Sequence, residues 1–294
     1  MSTLRELKTR IGSVASSEKI TGAMKMISSA KVRVNEQALR RLLPFQEQIR
    51  SIMGHLLATG TQFSSPLLEE REVKRVAVVV FGSDDGLCGA YNINIFKFLL
   101  KYVGDIYSTC GEGVEIDFYP VGKKMVHILG KFAGSDPLLG IGSYPGVDSK
   151  MDGTKVNDFT LSLQEKYLGG EYDRIDVVYM KFHSISRQRP ASVQLFPVSR
   201  EVLDADAADD KLYIFEPDPQ RIFDEVLPMF VLSTMQEITI ENRASEQASR
   251  VLAMQSANDN AKKLLEGLQL EYNKLRQQSI TTELLDIIGG QVDR

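Results

Sequence analysis

"VLAMQSANDNAKKLLEGLQLEYNKLRQQSITT", residues 251–282, decides the fold. Alternating steps of three and four pick out Val251, Met254, Asn258, Ala261, Leu265, Leu268, Tyr272, Leu275, Ser279 and Thr282. A seam held at that spacing over the whole stretch is the pattern of a coiled coil. Its polar members, Asn258, Ser279 and Thr282, weaken a dry two-helix interface and point to further neighbours. Upstream, "EPDPQ" (216–220) supplies a helix start, with Asp218 as N-cap and Pro219 in the first turn; Gly289 and Gly290 supply the stop. About 70 helical residues at about 1.5 Å each span roughly 105 Å, with Pro228 a candidate interruption near the start. No compact domain of this size needs so long a helix.

The N-terminal segment is its counterpart. Between Thr3 and about Ala58 the sole proline is Pro44, and Leu4, Leu7, Ile11 and Val14 form a helical stripe. The stripe then changes phase to Ile20, Met24, Ile27, Val34 and Ala38, as expected where a partner face winds round a long helix. Pro44 predicts a kink or offset.

Between the helices the period changes. "KRVAVVVF" (74–81), "VEIDFYPVG" (114–122), "RIDVVYMKF" (174–182) and "SVQLFPV" (192–198) are short β-branched or aromatic runs that read as strands. Helix-like segments near 92–103, 122–132 and 154–168 alternate with the first three of them, which predicts a mostly parallel sheet with packed helices. The acidic "DADAADD" (204–210) reads as a solvated loop leading out of that domain. The fold class is therefore α/β: a long antiparallel coiled coil of N- and C-terminal helices with an inserted Rossmann-like α/β domain. Residues 1–70 and 212–294 form the helical pair, one discontinuous domain, and 71–211 form the insertion.

Composition narrows the function classes. The chain has 294 residues, 43% of them hydrophobic, a net charge of −4 and two cysteines, Cys88 and Cys110. Those cysteines make neither a disulfide framework nor a CxxC metal pair, so a reducing compartment fits best. There is no apolar run long enough for a membrane span, and "MSTLRELKTR" lacks the apolar core of a signal peptide. A soluble chain is expected. Residues 1–50 carry ten Lys and Arg against four Glu, a net of +6, whereas 221–294 carry eight basic and eleven acidic residues. The basic first helix comes without aromatic platforms or a nucleic-acid motif, so a protein partner or a solvated face is expected.

"VAVVVFGSDDGLCGAYN" (76–92) is where nucleotide chemistry has to be tested, because a strand, a glycine turn and a helix are how many phosphates are held. A Walker loop requires Lys and Ser or Thr after its last glycine, but Leu87 and Cys88 follow Gly86. Gly82, Gly86 and Gly89 also miss the spacing of the dinucleotide fingerprint, and Asp84 and Asp85 repel a phosphate. The expected reading is a structural turn at Gly82, Gly86 and Gly89, where glycines permit left-handed backbone and Asp84 caps backbone amides. His55, His127 and His183 have no metal-ligand spacing, and Cys88 reads as a buried thiol without a partner histidine. "TTELLDII" (281–288) reads as the occupant of a protein socket rather than a membrane-surface segment, because it carries two acids.

Long stretches of the chain also resemble a known family. "KITGAMKMISSAK" (19–31), "SDDGLCGAYNINIFK" (83–97), "LYIFEPDP" (212–219), "ENRASEQASRVLAMQSANDNA" (241–261) and "LEYNKLRQQSITTELLDIIGG" (270–290) resemble the γ subunits of F-type ATP synthases. The resemblance implies a non-catalytic central rotor shaft, in a complex on the cytoplasmic face of a bacterial inner membrane. Its implied partners are the α and β subunits, at one copy per three of each, the ε subunit and the membrane c-ring. No cofactor, metal, nucleic acid or small-molecule substrate is implied. By motif, Met24, Lys25, Arg250, Arg276, Gln277, Thr281, Thr282 and Glu283 are the implied contacts with the lever and loop of β. Glu216 is the implied foot contact with the c-ring or ε. Lys25 stands where many relatives carry glutamate and Asp85 where many carry arginine. The dithiol insertion of chloroplast relatives has no counterpart. Two other readings are compatible with the residues alone: a nucleotide-binding α/β enzyme with helical arms, or a coiled-coil scaffold.

Overall fold

The computed structural model describes residues 3–58, 63–134, 136–199, 203 and 215–289. "DADAADD" and Gly290 lie outside them. The chain forms two compact units, Met1–Ser29 with Arg250–Arg294, and Ala30–Ser249. The division falls inside both long helices, α1 (Leu4–Ala58) and α5 (Pro219–Gly289), of 55 and 71 residues.

The larger unit holds the sheet. Its elements are β1 (Arg75–Phe81), α2 (Tyr91–Cys110), β2 (Glu115–Val121), α3 (Lys123–Ala133), β3 (Leu139–Ile141), α4 (Gly153–Leu168), β4 (Arg174–Ser184) and β5 (Arg187–Phe196). The strand order is β3-β2-β1-β4-β5, parallel except for the β4–β5 pair. Each βαβ crossover places its helix on a face of the sheet, so β1 is buried on both sides and reads as a continuous apolar run. Val76, Val78 and Val80 meet α2 and α3 through Ile95, Leu99, Met125 and Leu129. Ala77, Val79 and Phe81 point the other way, toward Phe159 and Leu163 of α4. That second layer also takes Ile49, Met53 and Leu56 of α1 and Phe223, Leu227, Val231 and Met235 of α5. Those parts of the long helices thus belong to the core of the sheet domain.

Two strands differ from the sequence expectation. β3, "LGI", is too short for any periodic signal and exists because it pairs with Ile116 to Phe118 of β2. β5 begins at Arg187 rather than 192, because the run "RQRP" pairs with Met180 to Ser184 across a tight turn despite lacking β-branched residues.

Local chemistry sets the helix ends. Thr3 and Glu6 form a capping box: the Thr3 N–H donates to Glu6 Oε2 at 3.0 Å and the Glu6 N–H to Thr3 Oγ1 at 3.3 Å. Asp218 Oδ2 accepts from the Arg221 N–H at 3.3 Å, which places the cap of α5 one residue before Pro219. Both α1 and α5 run through their internal prolines, Pro44 and Pro228. Among the described residues no helix is long and apolar enough to cross a membrane.

The helices run antiparallel. In the larger unit Gln46 Nε2 donates to Ser233 O at 3.0 Å, the Arg50 guanidinium lies over Phe230, and Phe63 stacks on Phe223 at 4.6 Å, so numbers fall in α5 as they rise in α1. In the smaller unit Asn258 Nδ2 donates to Glu18 O at 2.6 Å and to Thr21 Oγ1 at 3.3 Å. The seam of α5 is observed as read: Val251, Met254, Asn258 and Leu268 are buried, and Ala261, Leu265, Tyr272, Leu275 and Ser279 half-buried, while Thr282 is exposed.

On α1 the expected change of phase does not occur. The inward stripe continues unshifted through Glu18, Thr21, Lys25, Ser28, Val32 and Asn35 to Leu39, Leu42, Gln46, Ile49, Met53 and Leu56. Ile20, Ile27 and Val34 are 59, 57 and 65% exposed. Their seven-residue spacing is real, but it marks a second, outward apolar stripe. Register is set by α5, whose Asn258 takes polar partners on α1, and not by the apolar residues of α1 itself.

Candidate functional site

The glycine turn is filled by its own chain. Gly82 follows β1 so closely to α3 that a Cβ there would stand 2.7 Å from Met125 Cβ. The Ser83 N–H donates to Asn92 Oδ1 at 3.0 Å, and Asn92 Nδ2 donates back to Ser83 Oγ at 2.8 Å. Positive φ falls on Gly89 (61°) and on Leu87 (62°), not on Gly82 or Gly86. Steric closeness is therefore what requires Gly82, and left-handed backbone what suits Gly89. Asp84 does accept from backbone amides, although from distant ones: Lys123 at 3.0 Å, and Ser149 at 3.1 Å together with the Ser149 hydroxyl at 2.8 Å. The Lys123 amide opens α3, so the helix end where a phosphate would be welcome already carries a carboxylate. Cys88 is buried.

The crevice above the sheet is filled as well. In an open α/β sheet, ligands bind beyond the carboxyl ends of the strands where the strand order reverses. Here that switch point lies between β1 and β4. Asn242 of α5 occupies it, 1% exposed. Its Oδ1 accepts from the Tyr91 hydroxyl at 2.6 Å and from the Met180 N–H at 3.2 Å, and its Nδ2 donates to Gly82 O at 3.4 Å. Ser245 Oγ adds a bond to Met180 O at 2.9 Å. Arg243 Nε donates to Ser149 O at 2.8 Å, and its Nη2 donates to Met151 O. Burial pushes the Arg243 pKa down, against the opposing pull of Asp148, Glu246 and Asp152. Gln236 Nε2 reaches Asn157 Oδ1 at 2.8 Å, and Ser249 Oγ pairs with Gln188 Oε1 at 3.2 Å.

None of these α5 residues carries a role in the sequence reading, although most lie in "ENRASEQASR". A signal was present: Asn242, Ser245 and Ser249 put a polar stripe at helical spacing where the helix packs on a sheet.

The residues implied as subunit contacts fall into separate groups. Met24 and Lys25 are half-buried on α1, and Arg250 is 5% exposed on α5. The Asn258–Glu18 register brings these three to one level of the helical pair. Arg276, Gln277, Thr281, Thr282 and Glu283 are exposed. They begin 26 residues beyond Arg250, roughly 39 Å along the helix axis. By the same register Leu4 stands near Tyr272, so α5 beyond about Leu275 passes the described start of α1 as a single helix. There Ile280, Leu284, Leu285, Ile287 and Ile288 are exposed. The Thr281 and Thr282 hydroxyls donate back to Gln277 O and Gln278 O at 2.9 and 3.0 Å. Glu216 is exposed at the bend before Asp218.

A family model described as ATP synthase matches residues 3–292. An ATP synthase gamma chain from Bacteroides thetaiotaomicron is 37% identical over 305 residues, covering 99% of this chain and 100% of that protein. The chain belongs to the ATP synthase gamma-chain family. Gamma chains are the central stalk of the F-type complex, and the solved structures similar to this one share its fold. The rotor of Euglena gracilis mitochondrial ATP synthase in rotational state 1 is 18% identical with a TM-score of 0.60, over 94% of this chain and 98% of that one. The central stalk and c-ring structure from Tetrahymena thermophila gives 20% identity and a TM-score of 0.55, over 81% and 99%. The paired helices and inserted sheet are therefore the architecture of gamma chains.

Proposed function

We propose that this gamma chain is the non-catalytic rotor shaft that couples proton flow through the membrane c-ring to ATP synthesis or hydrolysis at the β subunits. The observation that carries this reading is that α5 is one unbroken helix which both fills the ligand crevice of the sheet domain and ends in an exposed apolar tip. A crevice filled by the chain's own Asn242 supports a mechanical rather than a catalytic use of the α/β domain.

In this reading the tip, with Ile280, Leu284, Leu285, Ile287 and Ile288, turns inside an apolar collar formed by alternating α and β subunits. Apolar surfaces lack directional bonds and slide over one another with modest barriers. Arg276 and Gln277 supply the polar contacts that hold discrete dwell positions, with Thr281, Thr282 and Glu283 beside them. The outward pair Ile20 and Ile27 is a second surface for the ring, next to Met24 and Lys25 at the β lever. Arg250 supports that level from within. Glu216 meets the c-ring or ε. The complex is peripheral on the cytoplasmic face of a bacterial inner membrane.

Co-purification tests this directly. A shaft appears at one copy per three α and three β chains, whereas a scaffold shows no fixed ratio. Micromolar binding of Mg-ATP to the isolated chain in calorimetry would favour an enzyme and contradict the proposal.

A further inference from the structure

The bonds that hold α5 in the sheet domain are polar, directional and arranged on two sides of the helix. At 3.6 residues per turn, Gln236 and Arg243 project about 20° apart, while Asn242, Ser245 and Ser249 lie within about 60° of one another, centred about 140° further round. The first group holds α4 and the 149–151 loop. The second holds the ends of β1 and α2 together with β4 and β5. A helix seated only by apolar ridges can roll or slide by small steps, because dispersion and burial are nearly indifferent to direction. Hydrogen bonds weaken steeply with angle, so bonds from two sides resist rotation about the helix axis and translation along it.

We infer that the ligand crevice of the α/β domain serves here as a torque socket, in which Asn242, anchored by the Tyr91 hydroxyl, the Met180 amide and Gly82 O, keys the domain to α5. Asn242 is a positioning residue; it touches no substrate. The inference rests on the rotor reading above and adds the place where torque passes between the domain and the shaft helix. Asn242 suits the role because one short side chain offers an acceptor and a donor together, and so ties three elements at the point where the sheet's strand order reverses. Its burial removes water as a competing partner, which makes each bond stiffer.

The test uses the assembled ATP synthase complex carrying this chain, with the α and β ring fixed to a surface and the shaft stalled by nucleotide. A rod attached through Lys97→Cys, an exposed position on α2, reports the angular fluctuation of the α/β domain. Asn242→Ala is expected to raise the angular variance at least about twofold, and Tyr91→Phe, which removes only the hydroxyl, by a smaller factor. Tyr167→Phe is the control: it deletes a hydroxyl bonded to Glu69 O at 2.6 Å on the other face of the sheet, and is expected to lower the melting temperature without changing the variance. Unchanged variance in both socket variants overturns the inference, as does an equal rise in Tyr167→Phe. Where Asn242→Ala does not assemble, Tyr91→Phe decides by the same criterion. Failure of the unaltered chain to assemble with α and β would instead sink the rotor reading.

Discussion

Replacing Glu241 with glutamine makes the stability of the sheet domain less dependent on pH in a direction that its burial dictates. Glu241 lies on α5, 5% exposed, beside Tyr179 and Lys181 of β4 and one turn after Glu237. Burial, with Glu237 adding to it, raises its carboxyl from 4.5 to about 7, against the opposing pull of Lys181 and the Tyr179 hydroxyl. For an acid whose folded pKa lies above the unfolded one, the folded state holds the proton more tightly. Stability is then greatest below the unfolded value and falls as pH rises through the folded one, and ionised Glu241 imposes a constant cost above it. At about 1.4 kcal/mol per tenfold, the displacement amounts to roughly 3 kcal/mol at pH 8. Glutamine keeps the shape and an acceptor for Tyr179 but never ionises. Thermal melts followed by circular dichroism are expected to match the unaltered chain at pH 4 and to exceed it by roughly 5–10 °C at pH 8. An equal shift at both pH values, or a loss at pH 8, would refute the reasoning.

Other expectations concern packing, capping and contact. Gly82→Ala drives a Cβ against Met125 and is expected to cost about 1–3 kcal/mol in denaturant melts. Asp84→Ala strips the acceptor from the Lys123 and Ser149 amides and from the Ser149 hydroxyl, for a loss of about 2–3 kcal/mol. Asn258→Leu is expected to strengthen the helical pair by about 1 kcal/mol while relaxing its register, seen as broader spin-label distances between α1 and α5. Arg276→Ala with Gln277→Ala, both exposed, is expected to leave melting within about 0.5 kcal/mol while lowering ATP-driven torque and ATP synthesis. Unchanged torque would remove those residues from the dwell contacts.

How much of this was legible in the sequence depended on what sets each feature. The seam of α5 could be read because its own apolar residues, Val251, Met254 and Leu268, are the ones its partner buries. On α1 the same logic misled, since the inward stripe there includes Glu18, Thr21, Lys25 and Ser28 while Ile20, Ile27 and Val34 stay outside. A sequence shows which residues avoid water but not which partner removes them from it, and register is a property of the pair. The failed phosphate loop was legible in its spacing, whereas the reason the crevice is closed was not, because Asn242 reaches Gly82 across 160 residues of chain. β3 escaped notice for the same kind of reason. It is a strand only because β2 lies beside it.

The most direct test of the rotor is to watch it turn. With the α and β ring immobilised and a rod on Lys97→Cys, addition of Mg-ATP is predicted to drive continuous rotation in one direction with three dwells per turn, one for each β subunit. A rod that stays fixed while the same complexes hydrolyse ATP would contradict the account.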